Sequence, residues 1–336
     1  YSCEDINITN TEFVVIHIPD QIGDAMAIYP IIRSLESHKI KHLLIVASTI
    51  NKSVFDSLCL KETKLTLVSM TMQDHASFRE IKSLAQSIRD QYGTPDLCIE
   101  AMRKKNLKTM LFISYLKAKT NLQVVGLTMK CYSSLCKSAS KMDQSLRAPV
   151  PMTWAFMMRE AGFPPVRPLF EQPINKEVIN EVRYELTSLG AYIALNLDGS
   201  VQERTFSGSI AQKLIAIIKN EINMPIVIVH GPNGTEKAVE LTQYFDNVYH
   251  LSLSPSIPRS AAVIKDAFLA ITPDTSVLHM TSAYNVPVIA VYADYKTRWP
   301  AMADISETIV VGKNIDHINL DEFRNTIKRI IAKIQP

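Results

Sequence analysis

The sequence lacks several features that would place it quickly. Its longest apolar runs, such as PVIAVYA at 287–293, fall far short of the ~20 apolar residues that a membrane-spanning helix needs. No secretory leader is read at the start, which is Tyr1 rather than Met. The five cysteines, Cys3, Cys59, Cys98, Cys131 and Cys136, form no CxxC doublet, so neither a zinc site nor a disulfide framework is expected. A Cys131–Cys136 bridge is the weaker alternative to two free thiols in a reducing, cytoplasmic setting. Absence of GxGxxG disfavours a dinucleotide-binding protein, and absence of DxD and HExxH leaves no carboxylate or histidine set that calls for a metal. No short-period repeat, low-complexity tract or long charge block interrupts the chain.

What is present is length and rhythm. At 336 residues, 47% of them hydrophobic, the chain has material for two globular domains. Short apolar runs at 13–18, 42–48, 65–70, 96–101 and 122–127 alternate with amphipathic stretches that begin near Asp24, Ser53, Ser77 and Lys105. Near-continuous apolar strands predict a parallel sheet with helices on both faces. The rhythm breaks where prolines gather around TWAFMMREAGF, then resumes at 192–199, 225–231, 248–253, 268–272 and 286–293 before a closing amphipathic helix over LDEFRNTIKRIIAKI. The expected fold class is therefore α/β with two Rossmann-like halves: 1–150, a linker at 151–176, and 177–336. Open α/β sheets bind ligands beyond the carboxyl ends of their strands, so two sheets facing one another would put the site in a cleft between them.

Three post-strand loops carry candidate chemistry. In PDQIGDAMAIYP, Gly23 permits close backbone approach and Asp24 stands at the start of a helix, either as a reactive carboxylate or as an N-cap. NLDGSVQERTF offers Gly199 and Ser200 as donors and Arg204 as a fixed charge for a diphosphate, with a plain surface turn as the alternative. TPDTSVLHMTSAYNVPVIAVYAD ends a strand at Thr272 and opens a helix from about Ser276 to Tyr284, whose N-terminus favours a phosphate. There Asp274 is read as phosphate-side chemistry or as a cap, and His279, one turn in, as a ligand contact or a polar core residue.

Taken together, IGD, the GS followed by Arg204, and DTSVLHMTSAYNVPVIAVY resemble glycosyltransferase family 9, the heptosyltransferase-like enzymes of lipopolysaccharide core assembly, over nearly the whole chain. The resemblance implies a GT-B architecture and an inverting, metal-independent transfer without a cofactor. Asp24 would be the general base, and Arg204, where the family often has lysine, would meet the donor phosphates. Asp274, Thr275, Ser276, Val277 and His279 would hold the nucleotide-sugar, with Glu236 near the ribose. ADP-heptose is the implied donor. The chain departs from the family where ADYKTRWPA replaces a threonine-aspartate-proline loop around Asp294.

Net charge is only +3, which points to no nucleic-acid partner, but its distribution is uneven. Arg103, Lys104, Lys105, Lys108, Lys117, Lys119, Lys130, Lys137, Lys141 and Arg147 face a single acid, Asp143, in that stretch. Gly23, Arg103, Lys104, Lys105 and Lys108 are the candidate contacts to an anionic lipid-linked acceptor, with peripheral attachment to the cytoplasmic face of the inner membrane. Two rival readings are a nucleotide-sugar 2-epimerase, which needs no acceptor, and a silent nucleotide-sugar binding subunit, which would bind donor without turnover.

Overall fold

The computed structural model describes residues 2–104, 106–127, 129–294 and 298–335, with the side chains of residues 139 and 142–146 left aside. Two compact units divide it, Tyr1–Phe170 and Glu171–Pro336.

The first unit runs β1 (Phe13–Ile18), α1 (Ile22–Ala27), α2 (Tyr29–His38), β2 (His42–Ser48), β3 (Lys64–Met70), α3 (Phe78–Tyr92), β4 (Leu97–Glu100), α4 (Leu107–Leu116), β5 (Thr120–Leu122), α5 (Leu135–Leu146) and α6 (Val150–Glu160). Its strands pair in the order β3-β2-β1-β4-β5, all parallel. The central strands are apolar because both faces are covered: Val14, Val15, Ile16 and Leu43 to Val46 have no exposed surface. Helix α6 buries Trp154, Met157 and Met158 and packs on α2, so the unit's own packing extends past residue 150 into the proline-dispersed stretch.

The second unit runs α7 (Lys176–Leu186), β6 (Ile193–Asn196), α8 (Gly208–Glu221), β7 (Ile226–Val229), α9 (Thr235–Tyr244), β8 (Val248–His250), α10 (Ile257–Lys265), β9 (Leu269–Pro273), α11 (Ser276–Tyr284), β10 (Val288–Tyr292), β11 (Ser306–Val310) and α12 (Leu320–Ile334). The sheet order is β11-β10-β9-β6-β7-β8, again parallel. Phe323, Ile327 and Ile330 of α12 seat the closing helix in the core, while Arg324 and Lys328 stay outside.

Three sequence expectations change. The strand expected at 122–127 stops at Leu122, because the Gln123 side chain folds the following residues into a turn. Its Oε1 accepts from the amides of Val125 (2.5 Å) and Gly126 (2.9 Å), and its Nε2 donates to the Leu127 carbonyl at 2.9 Å. Gly126, at φ 76°, supplies the left-handed bend. The helix expected near Ser53 is only a 3-10 turn, Lys52–Val54. Edge strand β11 was not foreseen, since its residues are mostly half-exposed and lack an apolar run.

Candidate functional site

In each sheet the strand order reverses beside the first strand, and the loops at that switch point carry the candidate residues. In the first unit the switch lies between β1 and β4. Helix α1 begins at Ile22 after an uncapped Gln21, which makes Asp24 a third-position residue of the first turn rather than the N-cap. The capping role entertained for it is thereby set aside. Gly23 and Asp24 are both half-buried. Burial, and then the negative charge of Asp20, push the Asp24 carboxyl up to about 7, against the weaker pull of Lys104 and Arg103.

Asp20, which the sequence reading passed over, is 2% exposed. Its Oδ1 accepts from the Gln21 amide at 3.0 Å and from Lys104 Nζ at 3.1 Å. Lys104 also donates to Asp74 Oδ2 at 2.9 Å, and Lys108 donates to the Asp74 carbonyl at 2.7 Å. Burial acts to lower the Lys104 ammonium, but the bonds to Asp74 and Asp20 prevail and hold it above its ordinary range. Thus Lys104 and Lys108 have their charge engaged within the unit instead of standing as free surface cations. Arg103 is half-buried beside them, and Lys105 lies outside the described residues. One layer deeper, His17 Nδ1 meets Glu100 Oε2 at 2.7 Å across the β1–β4 register, and the imidazole stacks on Phe112 with ring centres 3.9 Å apart. Glu100 Oε1 accepts the Met102 amide at 3.1 Å, which anchors the start of the loop that presents Lys104.

In the second unit the switch lies between β6 and β9. Asn196, at the end of β6, donates through Nδ2 to the Asp198 carbonyl (3.1 Å), Thr272 Oγ1 (3.0 Å) and Thr275 Oγ1 (3.2 Å), joining the two loops. Gly199 is required by close approach: a Cβ there would sit 2.3 Å from the Arg204 carbonyl oxygen, where the Gln202–Arg204 turn folds back. Ser200 is exposed. Arg204 reaches the next loop, with its Nη1 3.4 Å from Asp274 Oδ2 and 3.5 Å from the Asp274 carbonyl. Asp274 is 9% exposed; burial raises its pKa and Arg204 works against that.

Thr275, not Asp274, caps α11, with Oγ1 accepting the Val277 amide at 3.2 Å. Ser276 is half-buried and Val277 buried at this helix start. His279 is 4% exposed, 5.1 Å from the Trp299 ring, and burial drops its pKa to about 3, so its imidazole is neutral. Arg204, Asp274, Thr275 and Asn196 therefore converge at one switch point. Glu236 does not join them: it is exposed on the first turn of α9.

Its neighbour Lys237 folds inward, donating to Asp198 Oδ1 at 2.9 Å and to the Phe206 carbonyl at 3.0 Å. The sequence reading missed this pair, although an acid directly before Gly199 was its visible trace. Gly234 leaves room for it, since a Cβ there would lie 2.0 Å from Asp198 Oδ2. Gly234→Ala should accordingly destabilise the chain by about 1–3 kcal/mol in urea unfolding; an unchanged midpoint would mean that the Asp198 side chain simply moves aside. Beyond the ends of β7 and β8, a shallow hollow is lined by His230, Leu251, Leu253, Ser256, Arg259 and Val263. Arg259 is fixed at its rim by the Ser254 carbonyl (2.8 Å) and Glu181 (3.2 Å).

Comparison with known proteins places this arrangement. The sequence profile of Glycosyltransferase family 9 (heptosyltransferase) matches residues 188–324, which lie wholly inside the second unit. The uncharacterized protein YeeL of Escherichia coli strain K12 is 72% identical over 218 residues, 65% of this chain and 93% of YeeL. Among solved structures, a glycosyl transferase family 9 protein from Veillonella parvula superposes with a TM-score of 0.74 at 14% identity, covering 98% of this chain and 99% of that one. The ADP-heptose lipopolysaccharide heptosyltransferase II of E. coli superposes at 0.70 with 13% identity, covering 96% and 100%. Such identities speak for the fold, two Rossmann-like units of GT-B type, while the profile speaks for the second unit's sequence. The second unit carries a glycosyltransferase family 9 (heptosyltransferase) domain, on a chain whose two units have the GT-B fold.

Proposed function

We propose that the protein transfers a heptose from ADP-heptose, with inversion, onto an anionic lipopolysaccharide-core acceptor. The observation that carries this reading is Asp24, a half-buried carboxyl raised to about 7 beside a second acid, which suits a general base at neutral pH. Asp24 takes the proton of the acceptor hydroxyl as that oxygen attacks the anomeric carbon opposite the diphosphate. Arg204 and the N-terminus of α11 take up the charge that develops on the departing diphosphate, with Gly199, Ser200 and Thr275 to Val277 lining its path. The hollow at the ends of β7 and β8, where Leu251, Leu253 and Val263 lie beside His230 and Arg259, is the proposed seat of the nucleoside. Neutral His279 serves as a hydrogen-bonding wall rather than a charge.

Acceptor phosphates approach the rim of Arg103, Lys104 and Lys108, where Asp20 and Asp74 partly balance the charge of Lys104. Among the described residues no helix is long and apolar enough to cross a membrane; contact with the inner leaflet through this basic rim is part of the proposal.

The direct test incubates the full chain with ADP-heptose and a heptose-free core acceptor. ADP should appear in proportion to glycosylated acceptor. An altered ADP-sugar formed without acceptor would make the protein an epimerase, and donor binding without turnover across an acceptor panel would make it a binding subunit. Transfer should also survive excess EDTA, because the diphosphate is stabilised by protein groups and no three His, Cys, Asp or Glu side chains among the described residues gather in a metal-binding set. Loss of activity restored by magnesium or manganese would overturn that part.

A further inference from the structure

One of the chain's two tryptophans, Trp299, stands against α11, the helix whose start is proposed to meet the diphosphate. We infer that Trp299 is the platform for the transferred sugar of the nucleotide-sugar, its indole covering the apolar C–H face of the sugar ring. The inference rests on the proposed donor and names the residue that holds its sugar end.

Strand order gives the direction. β6 and β9 are neighbours in the middle of the sheet, with β7 and β8 on one side and β10 and β11 on the other. Arg204 follows β6, and Asp274 with the start of α11 follows β9, so a diphosphate held there sits over the middle strands. The hollow proposed for the nucleoside lies at the ends of β7 and β8. A nucleotide-sugar carries its nucleoside and its sugar at opposite ends of the diphosphate. With one end over β7 and β8, the other is directed over β10, and Trp299 belongs to the connection that leaves β10. Strands lie ~4.8 Å apart, so β7 and β10, three steps from one another, are separated by roughly 14 Å, the scale of a nucleotide-sugar from base to sugar ring.

Because β10 and β11 are parallel, the chain must return between Tyr292 and Ser306 to the opposite edge of the sheet, yet Trp299 is kept near the carboxyl edge. Its carbonyl accepts from the hydroxyl of Tyr292, the last residue of β10, at 3.2 Å, and the Ala301 amide donates to the same hydroxyl at 3.1 Å. Pro300 restricts the Trp299 backbone to extended conformations. Farther on, the Met302 amide donates to Ser282 Oγ at 2.9 Å, and Asp304 exchanges two bonds of 2.8 Å with Asn285, the C-cap of α11. The connection therefore lies along α11. The indole meets the His279 imidazole with ring centres 5.1 Å apart and planes at 41°. His279 is 4% exposed and neutral, whereas Trp299 is only half-buried, so part of the tryptophan stays open beside an uncharged wall. A large flat ring held by its backbone gives up little freedom on binding, and a sugar's C–H face asks for apolar area rather than charge.

The test measures binding of ADP and of ADP-heptose to the full chain by calorimetry, without acceptor. Trp299→Ala should weaken ADP-heptose ~10-fold, the scale of one lost aromatic contact, and leave ADP within about twofold of wild type. Trp299→Phe should recover most of the loss, and the KM for ADP-heptose in the transfer assay should follow the same order. Equal weakening of both ligands, or of neither, overturns the inference, since Trp299 would then hold the nucleotide or only close its loop on α11. Intrinsic fluorescence decides the matter if Trp299→Ala does not fold. The other tryptophan, Trp154, is fully buried in the first unit, so ADP-heptose should change the wild-type emission beyond what ADP does, and Trp299→Phe should abolish the difference. Matching emission with the two ligands overturns the inference. A wild type that binds neither ligand overturns the donor reading and the inference with it, whereas ADP-heptose bound and transferred without regard to Trp299 overturns the inference alone.

Discussion

Asp24→Asn should lower turnover on the order of 100-fold or more, because asparagine keeps the shape of aspartate but has no basic lone pair to accept the acceptor's proton. ADP affinity should stay near that of the wild type, since the groups proposed to hold the nucleotide, Arg204 and Asp274 to His279, belong to the second unit. The wild-type rate should rise with pH through about 7, where Asp24 ionises. Stability moves the other way. The folded pKa of Asp24 is raised from 3.8 to about 7, so between these values the folded state binds a proton that the unfolded chain has released. Wild-type stability therefore declines as pH rises from about 4 to about 7, by an amount on the order of 2 kcal/mol after allowance for partial exposure. Asp24→Asn removes the decline. The variant should be more stable than wild type at pH 8 and equal to it near pH 4, in denaturant unfolding monitored at both. A variant that turns over normally would remove Asp24 from the chemistry, and one that loses stability at pH 8 would show that the carboxylate is a structural anchor.

Much of this is legible in the sequence. Strands β1 and β2 fall on FVVIHI and HLLIVAS because buried parallel strands are written as unbroken apolar runs. The α11 start was readable from a strand ending before Asp-Thr-Ser, although Thr275 rather than Asp274 makes the cap. What escaped was whatever depended on side chains returning to distant backbone. Gln123 ends β5 by bonding residues two to four positions ahead, and nothing in LQVVGL announces it. Lys104 reads as one more member of a basic run, yet the β1–β4 pairing brings it to Asp20, 84 positions away in sequence. Lys237 and Asp198, 39 positions apart, meet in the same way where β7 pairs with β6. In both cases strand order decides the contact, and strand order follows from the fold as a whole.

Arg204→Ala should be the other large loss, with turnover reduced on the order of 100-fold to 1000-fold, the range expected when one fixed donor to a developing negative charge is removed. In the free protein the guanidinium lies 3.4 Å from Asp274 Oδ2, with Arg204 43% and Asp274 11% exposed at the side chain. With the guanidinium largely exposed and 3.4 Å from the carboxylate, the pair contributes at most about 1 kcal/mol to folding, so the unliganded variant should melt close to wild type. Its response to ADP should change much more. Asp274, already raised by burial, loses the Arg204 cation that opposes this shift, and its carboxylate would face the incoming diphosphate without it. A tenfold weaker ADP complex removes about 1.4 kcal/mol of ligand-induced stabilisation at saturating ADP, which a thermal shift resolves. Arg204→Lys should recover part of the turnover and less of the affinity, because an ammonium supplies the charge without the two-pronged geometry that a diphosphate can accept. The decisive comparison is Arg204→Ala with and without ADP. If its melting temperature rises with ADP as far as that of the wild type and its turnover is unchanged, the contact with Asp274 is an ordinary loop clasp, and the leaving group must be stabilised by the α11 N-terminus alone.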